Sequence, residues 1–121
     1  MKVTLEKDEK VGKMIFASIY PLYLNRVKKN GRTKEELNII IKWLTGFNEQ
    51  DLQRLIKEQV TFRTFFERAT LNTKAYLIKG VICGYRIEDI DDKFYVYKQC
   101  RRMEKLIDEL AKGRKIEKIL R

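Results

Sequence analysis

Three features of this 121-residue chain predict an all-α fold, a compact orthogonal bundle of six to seven mostly short helices with a longer C-terminal one. Apolar residues recur at helical spacing, most clearly at Leu37, Ile40, Ile41 and Leu44. Thr33 stands three residues before Glu36 and Asn48 three before Asp51, the spacing at which side chain and backbone cap a helix reciprocally. Glycines at 31, 46, 80 and 113 close apolar runs where a left-handed C-cap belongs. A hydrophobic fraction of 44% suffices for a core, and the length suits one domain over 1–121.

Taken in order, residues 1–10 lack sustained periodicity and are expected to be irregular. From Val11, the positions Val11, Met14, Ile15, Ala17 and Ile19 suit one helical face. Pro21 interrupts it. A proline disrupts a helix interior but fits a first turn, so a second helix is expected to start there and stop at Gly31. The Thr33–Glu36 box opens the next helix, whose stripe Ile39 and Trp43 broaden and which Gly46 ends. The stretch "KWLTGFNEQDL" then reads as a corner, with Phe47 placed to staple onto Leu52 behind the Asn48 cap. Leu52, Leu55 and Ile56 continue that helix. Thr61 caps "FRTFFERA", with Phe62, Phe65, Phe66 and Ala69 on one side. Asn72 or Thr73 caps "KAYLIKG", ending at Gly80. A lone strand at "VICGY" would have no partner, so that stretch is expected to be a turn with a helical fragment. The last long helix is placed from about Glu88 to Lys112 on the stripe Phe94, Tyr97, Cys100, Met103, Ile107 and Leu110. A short amphipathic tail helix on Ile116, Ile119 and Leu120 occupies 114–121.

The residue inventory points away from catalysis. Histidine, the commonest general base and zinc ligand, is missing. Ser18 is the only serine, and nothing around it resembles a nucleophile elbow. Cys83 and Cys100 form no CxxC pair and read as reduced thiols packed as small apolar groups. No apolar run reaches the ~18 residues a membrane span needs, and "MKVTLEKDEKVGK" lacks the apolar centre of a secretory leader. A cytoplasmic protein with no membrane, metal or cofactor is the expectation. Glu88, Asp89, Asp91 and Asp92 form i, i+3 pairs able to hold a hard cation. No glycine-turned loop accompanies them, so carboxylates at a helix N-terminus are preferred.

A net charge of +10 favours acidic partners. Arg26, Lys28, Lys29, Arg32 and Lys34 surround one helix end, without an acid in 26–34. Residues 98–121 hold nine bases against four acids, among them Arg101, Arg102, Lys105, Lys112, Arg114, Lys115, Lys118 and Arg121. On one face, these could track a phosphate backbone without reading bases. The bend around "KGVICGY" has a faint helix-turn-helix spacing, but the element after it would turn four acids toward DNA, which argues against groove reading. The aromatic residues sit at helical spacing beside Leu and Ile and belong to the core. The preferred expectation is a non-catalytic protein-interaction or self-associating module, with Ile116, Ile119 and Leu120 as a detachable docking helix. Nonspecific nucleic-acid binding through the two basic clusters is the alternative, and a carboxylate-based enzyme comes third.

The blocks "YPLYLNRVKKNGRTKEELNIIIKWLTGF", "FFERAT", "KGVICGYRIEDIDD" and "KLIDELAKGRKIEKILR" together resemble a bacterial family known as domain of unknown function 2200. The resemblance runs from about Phe16 to Arg121. It implies a compact helical domain and carries no activity, cofactor or catalytic residue. The chain departs from the family pattern at Asp92-Lys93, where a proline usually follows the acidic segment.

Overall fold

The computed structural model describes residues 2–121 and arranges the chain around its last long helix. Among the described residues there are seven α-helices: α1 (Leu5–Gly12), α2 (Phe16–Lys29), α3 (Lys34–Thr45), α4 (Glu49–Lys57), α5 (Phe62–Arg68), α6 (Tyr95–Ala111) and α7 (Ile116–Ile119). Between α5 and α6 lie two 3-10 turns, Ala75–Leu77 and Ile87–Asp89, flanking a hairpin of β1 (Val81–Ile82) and β2 (Tyr85–Arg86). The central helix α6 packs against α1, α2, α3, α5 and α7. It is buried almost all round, Lys98, Gln99, Asp108 and Glu109 included.

The caps form as their spacing predicts. Thr33 and Glu36 make the reciprocal box at α3, and Asn48 and Asp51 make it at α4. Thr61 accepts the Thr64 amide at the start of α5. Gly46 closes α3 at φ 75°, where its backbone lies against the Thr70 carbonyl and a Cβ would come within 2.8 Å of that oxygen. The corner is fixed by main-chain bonds from Thr70 to Thr45 and from Asn72 to Leu44. Phe47 meets Phe65 edge-on, and Phe65 stacks on Phe16 at 4.1 Å between ring centres. The stripe of α3 is fully buried, while Ile39, expected to broaden it, is 40% exposed.

Five expectations are corrected. Residues 5–12 form α1 rather than an irregular segment. Its inward positions are Asp8 and Gly12, so no apolar stripe betrays it. The helix expected from Val11 is broken at 13–15, where Phe16 N–H donates to Val60 and Phe62 N–H to Met14, pairing the two loops. Pro21 lies inside α2 rather than starting a helix. The proline leaves the Ala17 carbonyl without its helical donor, but Pro21 is on the solvent side while Phe16, Tyr20 and Val27 hold the helix to the core. The "KAYLIKG" helix shrinks to one 3-10 turn, because Ile78 turns extended to bury its side chain.

"VICGY" is the fifth. It pairs with the residues after it as a two-stranded hairpin, Ile82 opposite Tyr85 and Val81 opposite Arg86. Cys83 and Gly84, at φ 51° and 82°, supply the two positive-φ positions of a tight hairpin turn. The same hairpin removes the helix-turn-helix option and delays α6 from Glu88 to Tyr95. Ile87 and Ile90 enter the core from the turn instead.

That late start leaves Phe94 as the N-cap residue of α6, with no side-chain capping bond. Asp8 supplies the cap from α1: its Oδ1 accepts the Tyr97 amide at 2.9 Å, and its Oδ2 lies 3.4 Å from Arg63 of α5. A carboxylate 4% exposed thus sits at the positive end of the central helix dipole.

Candidate anion-binding surface

Helices α2 and α6 bring their C-terminal ends together. The last turn of α2 carries Arg26, Lys28 and Lys29, where unpaired carbonyls favour cations, while that of α6 carries acids. Two buried acids of α6 organise the cations. Asp108 pairs with Arg26 of α2 and, at 3.0 Å, with Lys112. Burial alone would raise its pKa, but hydrogen bonds from Lys112 and Arg26 hold the carboxyl below the usual range. Glu109 receives Arg114 at 2.9 Å and Arg121 at 2.8 Å. Arg32 joins the two clusters directly. It donates Nε and Nη2 to Glu36, at 3.0 and 2.6 Å, and Nη1 to the Arg114 carbonyl at 2.9 Å. The Arg32 hydrogen bonds lower the Glu36 pKa.

Of the predicted cationic residues, Arg26, Lys28, Lys29, Arg32, Lys34, Arg114 and Lys115 therefore belong to segments held at one end of the molecule. Their roles divide by type. Arg26, Arg32 and Arg114 brace the fold through acids. Lys28, Lys29, Lys34, Lys115 and Lys118 are exposed and, among the described residues, take part in no ion pair. Glu35 and Glu117 are exposed in the same segments and temper the charge.

The other three share no partner with that end. Arg101 is tied to Glu104 and Tyr97, Arg102 lies against Gln99 with its Nε buried and unpartnered, and Lys105 reaches the Val81 carbonyl at 3.4 Å. The proposed docking residues are part of the fold itself. Ile119 is fully buried, and Ile116 and Leu120 pack against the main core. The tail is a piece of the core rather than a detachable helix.

The acidic set is dispersed. Glu88 accepts the Gly80 amide, Asp91 the Lys93 amide, and Asp92 the Lys98 ammonium at 2.8 Å. Among the described residues, no three His, Cys, Asp or Glu side chains come together as metal ligands would. Cys100 is buried as expected, but Cys83 is exposed on the hairpin turn, its Sγ 3.4 Å from Glu104. No helix is long and apolar enough to cross a membrane among the described residues.

Asp8, which caps α6, and Asp108 and Glu109, which anchor the basic end, are organising residues that the sequence reading misses. For the last two a signal existed, since "LIDELA" sets two acids inside an otherwise apolar run. An acid there must be buried with a partner.

The fold is similar to that in the crystal structure of uncharacterized protein SP1917. The TM-score is 0.85 at 34% sequence identity, with 93% of this chain and 91% of that chain covered. No curated protein sequence gives a significant match. Residues 10–121 match the model of the family described as "Uncharacterized protein conserved in bacteria (DUF2200)", and the chain belongs to that family.

Proposed function

We propose that this protein acts by binding rather than by catalysis, and that its partner is a nucleic-acid backbone held without base specificity. What carries the proposal is that Arg32 and Asp108 hold the 26–34 cluster beside Lys112 and Arg114 of the second cluster, with the neighbouring lysines left over. Lysine is a flexible point charge with no planar fork, suited to phosphate and ill-suited to reading base edges. The protein-interaction or self-associating module preferred from the sequence took this tail as its docking helix, and the tail packs in the core.

The test is a titration of labelled duplex DNA, single-stranded DNA and RNA at low salt, followed by anisotropy. The variant carries Lys28→Glu, Lys29→Glu and Lys115→Glu together, all at exposed positions without an ion pair. Wild type is expected to bind all three polymers with similar affinity, and the variant to lose that binding while keeping its melting temperature. Absence of wild-type binding tighter than ~100 μM, the weak end of nonspecific affinity, refutes the proposal.

A further inference from the structure

Away from the basic end, a cavity of about 210 Å³ opens between α1, α2, α5 and α6. Val11, Ile19 and Phe62 form apolar walls, and Met14, 40% exposed, stands at the rim. A flexible thioether there can yield to an entering group. The polar groups facing the space are Tyr23, Tyr97, Cys100, Arg101 and Glu104.

The charges among them cancel locally. Arg101 donates to Glu104 at 2.5 Å and to the Tyr97 hydroxyl at 2.7 Å, and its guanidinium lies 4.8 Å from the Tyr97 ring centre. The other three stay protonated at neutral pH. Burial pushes Tyr97 up to about 12 and moves Tyr23 and the Cys100 thiol well above their ordinary values. An anion entering the cavity would meet Glu104 and a cation would meet Arg101, each already neutralised by the other. Desolvating a charged ligand there would gain little in return.

Two of these groups make no hydrogen bond, the Cys100 thiol, a weak donor, and the Tyr23 hydroxyl, a strong one. Tyr23 makes no hydrogen bond to any described residue, although its ring packs against the main core. Its neighbours differ in this respect: Tyr20 donates to Asn38, Tyr95 to the Phe66 carbonyl, and Tyr85 and Tyr97 take hydrogen bonds from Lys7 and Arg101. The half-buried Tyr23 hydroxyl, not closed off from solvent, lines the cavity as a free donor, open to an acceptor that enters it.

We infer that this cavity binds a small neutral molecule, apolar over most of its surface and carrying one carbonyl-type oxygen that accepts the Tyr23 hydroxyl. The site is independent of the polyanion surface and stands or falls separately.

Four probes of similar shape separate the outcomes: acetophenone, toluene, benzoate and benzylammonium, each titrated while the methyl signals of Met14, Val11 and Ile19 are followed by NMR. Acetophenone is expected to shift these methyls saturably, toluene more weakly, and the two ions least. Tyr23→Phe, which keeps the ring and therefore the wall, is expected to weaken acetophenone about three- to tenfold, the range of one neutral hydrogen bond, and to leave toluene unchanged. Any of three results overturns the inference: no probe moves the methyls, meaning that water alone fills the space; an ion binds more tightly than acetophenone; or Tyr23→Phe weakens ketone and hydrocarbon alike. A Met14→Phe variant, filling the mouth from an exposed position, should block acetophenone without unfolding the protein. Unimpaired binding in that variant also counts against the site.

Discussion

Replacing Asp8 with alanine removes the cap of the central helix from a residue 89 positions away in sequence. The magnitude follows from what the carboxylate does. Losing an N-cap costs ~1 kcal/mol, up to ~2. Here the acceptor is charged and buried, and a hydrogen bond to a charged group contributes about 1.5–3 kcal/mol. These are two descriptions of one interaction, so they do not add. Arg63, whose side chain is 44% exposed, loses a partner but regains water, so its share is under ~1 kcal/mol. The total is about 2–3 kcal/mol, equivalent to a melting temperature lower by roughly 10 °C for a domain of this size. Asp8→Asn keeps an acceptor oxygen but gives up the charge, and should cost about 1 kcal/mol. Urea unfolding of the three proteins, read by far-UV circular dichroism, measures both differences. An Asp8→Ala protein within ~0.5 kcal/mol of wild type would refute the capping role. So would an asparagine variant as damaged as the alanine one.

Two further outcomes follow from the packing and the charges. Ile119→Ala should destabilise by about 2–4 kcal/mol, because Ile119 is fully buried among core residues; denaturant unfolding measures this, and light scattering should show the same mass for mutant and wild type. Stability should also fall in acid as Asp108 and Glu36 take up protons. Their folded pKa values lie below the ordinary ones, so their contribution is complete above about pH 4–5 and is lost as pH drops through the depressed values. Chemical denaturation between pH 6 and pH 3 tests this, and Asp108→Asn should flatten the decline.

What could be read from sequence was local. Caps at Thr33, Asn48 and Thr61 and the glycine stop at Gly46 each depend on residues within a few positions, and all form as spacing dictates. Failures came where a distant partner overrides local preference. The acids at 88–92 resemble a helix start, yet α6 begins only at Tyr95, after the hairpin and the turn that follows it. Its cap is Asp8, which no window around the acids contains. Helix α1 was invisible for the matching reason: its buried face is Asp8 and Gly12 rather than leucine. The hairpin needs no remote partner strand, because Cys83-Gly84 lets "VI" pair with "YR" immediately after it. The basic clusters were found by composition alone. Their convergence was hidden in "LIDELA", whose two acids gather arginines from both ends of the chain.

Binding through a handful of unpaired lysines has a physical signature that other kinds of binding lack. Each phosphate neutralised releases condensed counterion, so log affinity falls linearly with log salt at about −0.9 per contact on duplex DNA. Lys28, Lys29, Lys34, Lys115 and Lys118 are the available cations, and about four simultaneous contacts give a slope near −3.5. The decisive measurement is that slope for a short duplex between ~50 and ~150 mM salt, for wild type and for the Lys28→Glu, Lys29→Glu, Lys115→Glu variant. A wild-type slope of about −3 to −4.5 is predicted, flattening to about −1 or weaker in the variant. A slope near zero, or one that the three charge reversals leave unchanged, would contradict a phosphate-binding role for this surface.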